Sequence, residues 1–578
     1  AIRGGNGGDD LLGVSEGILN ASGGTGVFRF LFVRDFSMIN GLVMGGDGGQ
    51  VLKSGNLEFQ LNGGAGINNS SSKVTIYNGS VIGGAGGSAN VNTVDDASSA
   101  SGGVGVNLGS GVSDSYFGSV VVEGGDGGNV ITPGSANELN ISGGEGVVVA
   151  GSSATFTNVG TTVRGGSGGS LESFGSVEVD ASGGDALVFN GSGSGGKIIL
   201  IGGKYTGGVG GTVSDTNNMA DVSGGRGLFL TNGVTAEIGN NAEITGGMSG
   251  SLNGIAGEHA VAIEILDSNL IITNGIFTGS KGLYTATVGG SNDVEILGGT
   301  FGDVEFAGGN ESIDITGGSF NELRISGAGS KDLILAGAAT VDRIYVSDGD
   351  TDVMQWNDAL FSNTTISNGS LNFKDGDFSM GSSADFTLIS ESASASFNQN
   401  LQVSGKLDVG FGSVTVESNL LVSSGSDIVS SIKVDGVTNS GGTITAGTAS
   451  FEDDVSWMVI NTDTNMTKEN LADGILLVSG SDVSITNSFE DADFSLVNNP
   501  DWLNGITGVS NIQAGAKYNL YATYGQLNLE NVFEGYDENL VKAMGDLNNT
   551  VSTNQDLSSY IGATWNSVEE ALPDYEQG

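Results

Sequence analysis

Thr162-Val163-Arg164-Gly165-Gly166-Ser167-Gly168-Gly169 is the stretch whose reading decides the fold. A β-branched residue stands two positions ahead of paired glycines that flank one variable residue. Gly-Gly-x-Gly-Gly, or a near copy, also starts at Gly4, Gly45, Gly83, Gly124, Gly207 and Gly246. A second motif, Gly-Gly-x-Gly or a near copy, starts at Gly23, Gly63, Gly102, Gly143, Gly183 and Gly224. Each series steps by about forty residues, and together they interleave at about twenty. A fixed period of this size is the signature of a solenoid, whose repeats each bury surface only against their neighbours.

Two apolar columns give the period its physical content. Two residues before each Gly-Gly-x-Gly-Gly stand Ile2, Val43, Val81, Val122, Val163, Tyr205 and Ile244. Immediately after each Gly-Gly-x-Gly stand Val27, Ile67, Val106, Val147, Leu187 and Leu228. In a parallel stack, equivalent residues of successive coils lie about 4.8 Å apart. Each column then becomes a buried seam, one rung per coil. The glycines mark positions of φ > 0 or of close approach between neighbouring chains.

Within one repeat, Gly146-Val147-Val148-Val149, Ala154-Thr155-Phe156-Thr157 and Thr161-Thr162-Val163-Arg164 read as three strands. The stretch from Gly165 to about Ser182 is either a decorated extension of one forty-residue coil or a second, looser coil. Residues 1–250 hold the strict array, and in 251–350 the step shortens to about twenty. There Ile296-Leu297-Gly298-Gly299-Thr300-Phe301 recurs as Ile315-Thr316-Gly317-Gly318-Ser319-Phe320, which favours the coil-plus-extension reading. Residues 351–535 read as irregular coils, with Trp457 and Trp502 placed to plug or broaden the core. Over 536–578 the apolar spacing turns helical, from Asp537 as an N-cap to Leu572 before Pro573.

Composition narrows the function. The chain has 578 residues, 103 glycines and three prolines without a collagen register, so it is not a triple helix. A net charge of −47 repels nucleic acid and anionic lipid. Cysteine is absent, which fits a bacterial extracellular protein better than a secreted eukaryotic one. No run of eighteen apolar residues suggests a spanning helix.

The order Val-x-Gly-Gly-x-Gly-Gly, then Gly-Gly-x-Gly-Val, then a Thr/Asn/Gly-rich strand returning to Gly-Gly resembles the passenger region of bacterial autotransporters. The resemblance covers most of the chain and is one of architecture and repeat style. It implies an all-β fold, a right-handed parallel β-helix with a short α-helical C-terminal segment. It also implies a place on the outer surface of a bacterium, with anchoring through an outer-membrane barrel that is not in this chain. The family lends no activity.

The candidate sites are sparse. Gly4-Gly5-Asn6-Gly7-Gly8-Asp9-Asp10-Leu11 matches a calcium-binding nonapeptide, but that motif acts only in tandem at nine residues, and here the step is about forty. Asp348-Gly349-Asp350-Thr351-Asp352 alternates carboxylates like the first half of an EF-hand loop, but Val353 and Leu360 replace its glycine and glutamate. Asp348, Asp350 and Asp352 are therefore the metal candidates, with calcium as the ion. Glu452-Asp453-Asp454 and Glu490-Asp491-Ala492-Asp493 are weaker versions. His259 is the only histidine, which excludes a histidine-ligated metal cluster, and no nucleophile elbow surrounds it. With only 19 basic residues, the chain is poorly equipped to act on acidic sugars as a lyase.

The expected role is non-catalytic: an extracellular structural or adhesive rod or fibre subunit. Its partners are further copies of itself, stacked head to tail as a filament, or a cell-surface or extracellular polysaccharide. The alternatives are a polysaccharide lyase or glycoside hydrolase built on a β-helix, and a calcium-assembled surface-layer component.

Overall fold

The computed structural model describes residues 1–524 apart from the segments 8–17, 30–34, 53–55, 71, 92, 95–97, 133–137, 152, 174–177, 192–194, 215–219, 287–290, 357–362, 436–437, 462–474, 486–493, 498–505 and 515–516. The chain divides into two compact units, Ala1–Val341 and Asp342–Gly578. Among the described residues every regular element is a β-strand. The expected helices of 536–578, and Trp502, lie outside them.

The first unit is a parallel β-solenoid whose register bears out both apolar columns. Ile2 pairs with Val43, Val43 with Val81, Val81 with Val122, Val122 with Val163, Val163 with Tyr205 and Tyr205 with Ile244. Val27, Ile67, Val106, Val147, Leu187 and Leu228 stack likewise. Val81, Val122, Val163, Tyr205 and Ile244 are each 0% exposed. Strands alternate buried and half-buried residues, as in Thr155–Val159, so one face of each feeds the core.

The forty-residue unit is one coil with an extension. Val147–Ala150, Thr155–Val159 and Thr162–Arg164 form three sides of a main lobe. The chain then leaves through Gly165–Gly169, runs out along Ser170–Ser173 and returns along Glu178–Asp180. It re-enters the main lobe at Leu187–Asn190. Outgoing strands pair with outgoing strands a full repeat away, as Asn129 with Ser170 and Ser170 with Thr212. Returning strands do the same, as Leu139 with Val179. These two sheets enclose a second, smaller core that includes Val51, Phe59, Val130, Leu139, Leu171 and Val213.

A corner between the second and third sides takes a left-handed backbone in six successive coils. It is filled by Asn40, Asn78, Ser119, Gly160, Gly202 and Asn240, with φ between 48° and 63°. Asparagine and glycine tolerate that region best, which explains their recurrence there.

Beyond the side lobe the coils shorten. Val294 pairs with Ile313 and Ile313 with Leu333, steps of nineteen and twenty residues. Their core includes a ladder of Phe277, Phe301 and Phe320 with ring centroids 4.5 and 4.8 Å apart. The second unit also stacks in parallel, as Asp352 with Asn372 and Asn372 with Ser396. It is less regular: register shifts occur between Asp408 and Gly410 and between Val416 and Asn419. Trp457 is fully buried there, its indole N–H donating to Ser430 Oγ at 3.3 Å.

Candidate functional site

The main and side lobes are joined by a neck, and the neck is where the glycines act. The Gly24 amide donates to Gly5 O, Gly46 to Gly24, Gly64 to Gly46 and Gly84 to Gly64. The series runs unbroken to Gly225 on Gly208 and Gly247 on Gly225, each bond 2.6 to 2.8 Å. Its members come alternately from the two glycine motifs, so outgoing and returning segments interleave at half the height of a coil. None of these glycines has a positive φ. They are glycine because the chains touch: a Cβ on Gly46 would overlap Gly5 O and lie 2.5 Å from Gly5 C. The second of the two roles read from the sequence, close approach, is the one the neck uses. The ladder ends where Ala260 donates to Gly247 O at 3.1 Å.

A groove of about 620 Å³ runs along the returning side of this neck. In the later coils the variable residue of Gly-Gly-x-Gly lines it, as Glu145, Asp185 and Arg226. In the early coils that position is Thr25, Ala65 and Val104. Arg226 Nη2 and Nε lie 2.7 and 3.1 Å from Asp185 Oδ2, and Nη1 lies 2.9 Å from Glu264 Oε2. Its guanidinium carbon lies 3.7 Å from the centre of the Phe229 ring. One cation thus bridges two carboxylates on the coils either side and stacks on an aromatic face.

Above it, Lys281 pairs with Glu305 at 2.5 Å and lies 4.5 Å from the centre of the Tyr284 ring. Burial raises Glu305, but hydrogen bonds from Lys281 and Ser326, with the charges of Lys281 and Arg324, outweigh it and hold the carboxyl below its ordinary value. Glu145 goes the other way. Burial lifts it above the ordinary carboxylate value, its own backbone hydrogen bond pulls down, the Asp185 charge adds to the rise, and Arg226 opposes it.

The groove lining carries six carboxylates, on Glu145, Asp180, Asp185, Asp221, Glu258 and Glu264, against two cations, Arg226 and Lys281. Asp180 and Asp221 each accept the amide of the serine two residues on, at 3.0 and 2.9 Å, which shapes the turn into the neck. His259 is exposed on the same wall. The arrangement suits a polyhydroxylated or amine-bearing ligand and repels an anionic one.

The metal candidates fall in the second unit. Asp348 lies in an exposed turn and accepts the Gly349 amide at 2.8 Å. Asp350 accepts the Ser370 hydroxyl at 2.7 Å. Asp352 accepts Asn372 Nδ2 at 3.1 Å and pairs with Lys374 at 3.1 Å. Asp350 and Asp352 share one face of their strand and tie it to the next coil. Among the described residues no group of three or more acids, histidines or cysteines is gathered as for a metal ion. Of the weaker clusters, Glu452 accepts the Ser424 amide at 3.1 Å. Glu490–Asp493 lies outside the described residues, as do residues 8–11 of the nonapeptide match.

No family model, curated protein or solved structure matches this chain. No helix among the described residues is long and apolar enough to cross a membrane.

Proposed function

We propose that this chain is a non-catalytic structural and adhesive protein, displayed outside a bacterial cell as a stiff scaffold. It is anchored to the outer membrane through a barrel that is not in this chain. The observation that carries this reading is the neck. The strictest demand the sequence meets, glycine at both motifs in coil after coil, serves interlocked stacking. A chain bonded in this way resists bending between its lobes and shear between its coils. The partner is an extracellular polysaccharide, neutral or amine-bearing, laid in the acidic groove, or a further copy of the chain.

The test is made on intact cells. Antibody labelling of the surface, and loss of attachment to a neutral or amino-polysaccharide coat when the gene is deleted, are the expected results. An unlabelled surface, with undiminished attachment, contradicts the proposal.

One observation favours a polysaccharide-degrading enzyme as the second reading. Glu145 is a carboxyl held above its usual range by burial in the same groove lining as Asp185, the kind of acid that glycoside hydrolysis uses. Reducing or unsaturated sugar released by purified protein from a polysaccharide panel would replace the adhesive reading with that one.

A further inference from the structure

Three consecutive coils of the first unit carry a polar side chain at the same inward position. Asn292 pairs in register with Glu311, and Glu311 with Lys331. They are 3%, 4% and 0% exposed, in strands whose other inward residues are Val294, Ile296, Ile313, Ile315, Leu333 and Leu335. An acid, an amide and an amine stacked in an aliphatic core is a costly arrangement.

The three groups converge on Gly308. A Cβ there would overlap Glu311 Oε1 and lie 2.9 Å from Asn292 Nδ2. Lys331 Nζ donates to Gly308 O at 3.1 Å and to Gly327 O at 3.3 Å. Asn292 Nδ2 donates to Glu311 Oε1 at 2.9 Å, and Asn292 Oδ1 accepts the Ser268 amide at 3.1 Å. The asparagine amide is thereby fixed in orientation: its oxygen faces a backbone donor and its nitrogen faces a carboxyl. Glu311 Oε2 is buried with no hydrogen-bond partner. Asn292 and Lys331 lie two rungs apart, about 10 Å along the stack, and both reach toward the Glu311 rung between them, Asn292 Nδ2 to Glu311 Oε1 and Lys331 Nζ to Gly308 O.

We propose that Lys331 and Asn292 become joined by a side-chain amide bond, with Glu311 carrying the proton. The neutral Lys331 Nζ attacks Asn292 Cγ and forms the new C–N bond. Charge developing on Oδ1 is met by the Ser268 amide. Glu311 gives its proton to Nδ2 and takes one from Nζ, ending as it began. The Cγ–Nδ2 bond breaks and ammonia leaves. No oxidant, metal or cofactor enters the balance. Burial drives Glu311 above its ordinary value, ahead of the lowering hydrogen bonds from Thr285 and Asn292 and the charge of Lys331, so the carboxyl is poised to hold the proton it must donate. The step runs through the form in which the pair has neutralised itself, with the proton on the carboxyl and the amine uncharged, a form that a dry interior favours over separated charges. The product is a covalent clamp across three coils in a chain without cysteine.

The test is the mass of the whole purified protein, followed by a tryptic digest. The linked chain is lighter than its sequence by one ammonia. Lys331 then resists trypsin, and the segment Gly282–Arg324 appears joined to Ile325–Arg343. Asn292→Ala and Glu311→Gln are expected to restore full mass and separate peptides while strand content by circular dichroism stays that of the native chain. Full mass with cleavage after Lys331 in the native protein overturns the bond. A joined peptide that persists in Glu311→Gln overturns the proton-carrying role.

Discussion

Replacing Gly125 by alanine probes the neck at its centre. The added Cβ would overlap the Gly84 carbonyl oxygen and lie 2.5 Å from Gly84 C and 3.0 Å from Gly103 N. All of these are backbone atoms, held by their own hydrogen bonds, so no side chain can swing away. The neck has to part locally. That loosens the bond from Gly125 to Gly103 O, 2.7 Å, and the bond from Gly144 to Gly125 O, 2.8 Å. Two such bonds at about 1 kcal/mol each, with about 1–3 kcal/mol of overpacking strain, come to about 3–5 kcal/mol. Gly302 is the control, because a Cβ there meets nothing within 4 Å. Gly302→Ala is expected to be neutral or stabilising by about 0.4–1 kcal/mol, through the unfolded chain. Urea unfolding gives the size of the effect. Amide hydrogen exchange locates it, since a solenoid opens by neighbouring coils. Faster exchange confined to Gly103, Gly125 and Gly144 and their flanking rungs is the expected pattern. A Gly125→Ala protein as stable as Gly302→Ala would refute the close-approach account of the glycines.

Asn158 stacks between Phe117 and Leu200 with both ends of its amide buried and unpaired. Asn158→Leu is expected to stabilise the first unit by about 1–3 kcal/mol in urea unfolding, and a loss of stability would count against that reading. Glu145 has a folded-state value above its ordinary one, so folding takes up a proton there and stability falls as pH rises from about 4.5 through the folded value. Glu145→Gln removes that penalty. Thermal melts of this variant should match the native protein near pH 3 and lie above it near pH 8, and the opposite order would show that the charged form is favoured.

Much of the fold is legible in the sequence because a parallel solenoid repeats its environment. Val43, Val81, Val122, Val163, Tyr205 and Ile244 occupy one position coil after coil, so the column can be read without knowing the path between its members. The path itself is less legible, and only the twenty-residue step of 251–350 favours a coil with an extension. Half-period spacing fits two small coils as well as one coil with an extension, because both place glycine pairs about twenty residues apart. Only the pairing of Ser170 with Asn129 and Thr212 separates them. Nor does the sequence distinguish a glycine that turns, such as Gly160 with φ 57°, from one that is pressed against a neighbour, such as Gly125.

The site was legible in part. The change from Ala65 and Val104 to Glu145, Asp185 and Arg226 is a visible switch at one repeat position. That these residues meet Glu264, Tyr284 and Lys281 in one groove depends on where the side lobe ends. The buried column also leaves a trace. Val294, Ile313 and Leu333 point inward, so Asn292, Glu311 and Lys331, two residues before each, must point inward as well. Asp348, Asp350 and Asp352 are legible only as a local motif: alternation puts Asp350 and Asp352 on one face, and the partners the fold brings there are Ser370, Asn372 and Lys374.

The central structural claim is a forty-residue coil whose two glycine motifs interlock, and paired cysteines test it most directly in this cysteine-free chain. Asn129 and Ser170 are exposed register partners whose side chains meet at 2.7 Å, and rungs about 4.8 Å apart suit a disulfide. Asn129→Cys with Ser170→Cys is predicted to oxidise readily in the folded protein, whereas Asn129→Cys with Ala150→Cys, half a period away, stays reduced. The reverse result would mean that the unit is two coils and that the neck does not exist.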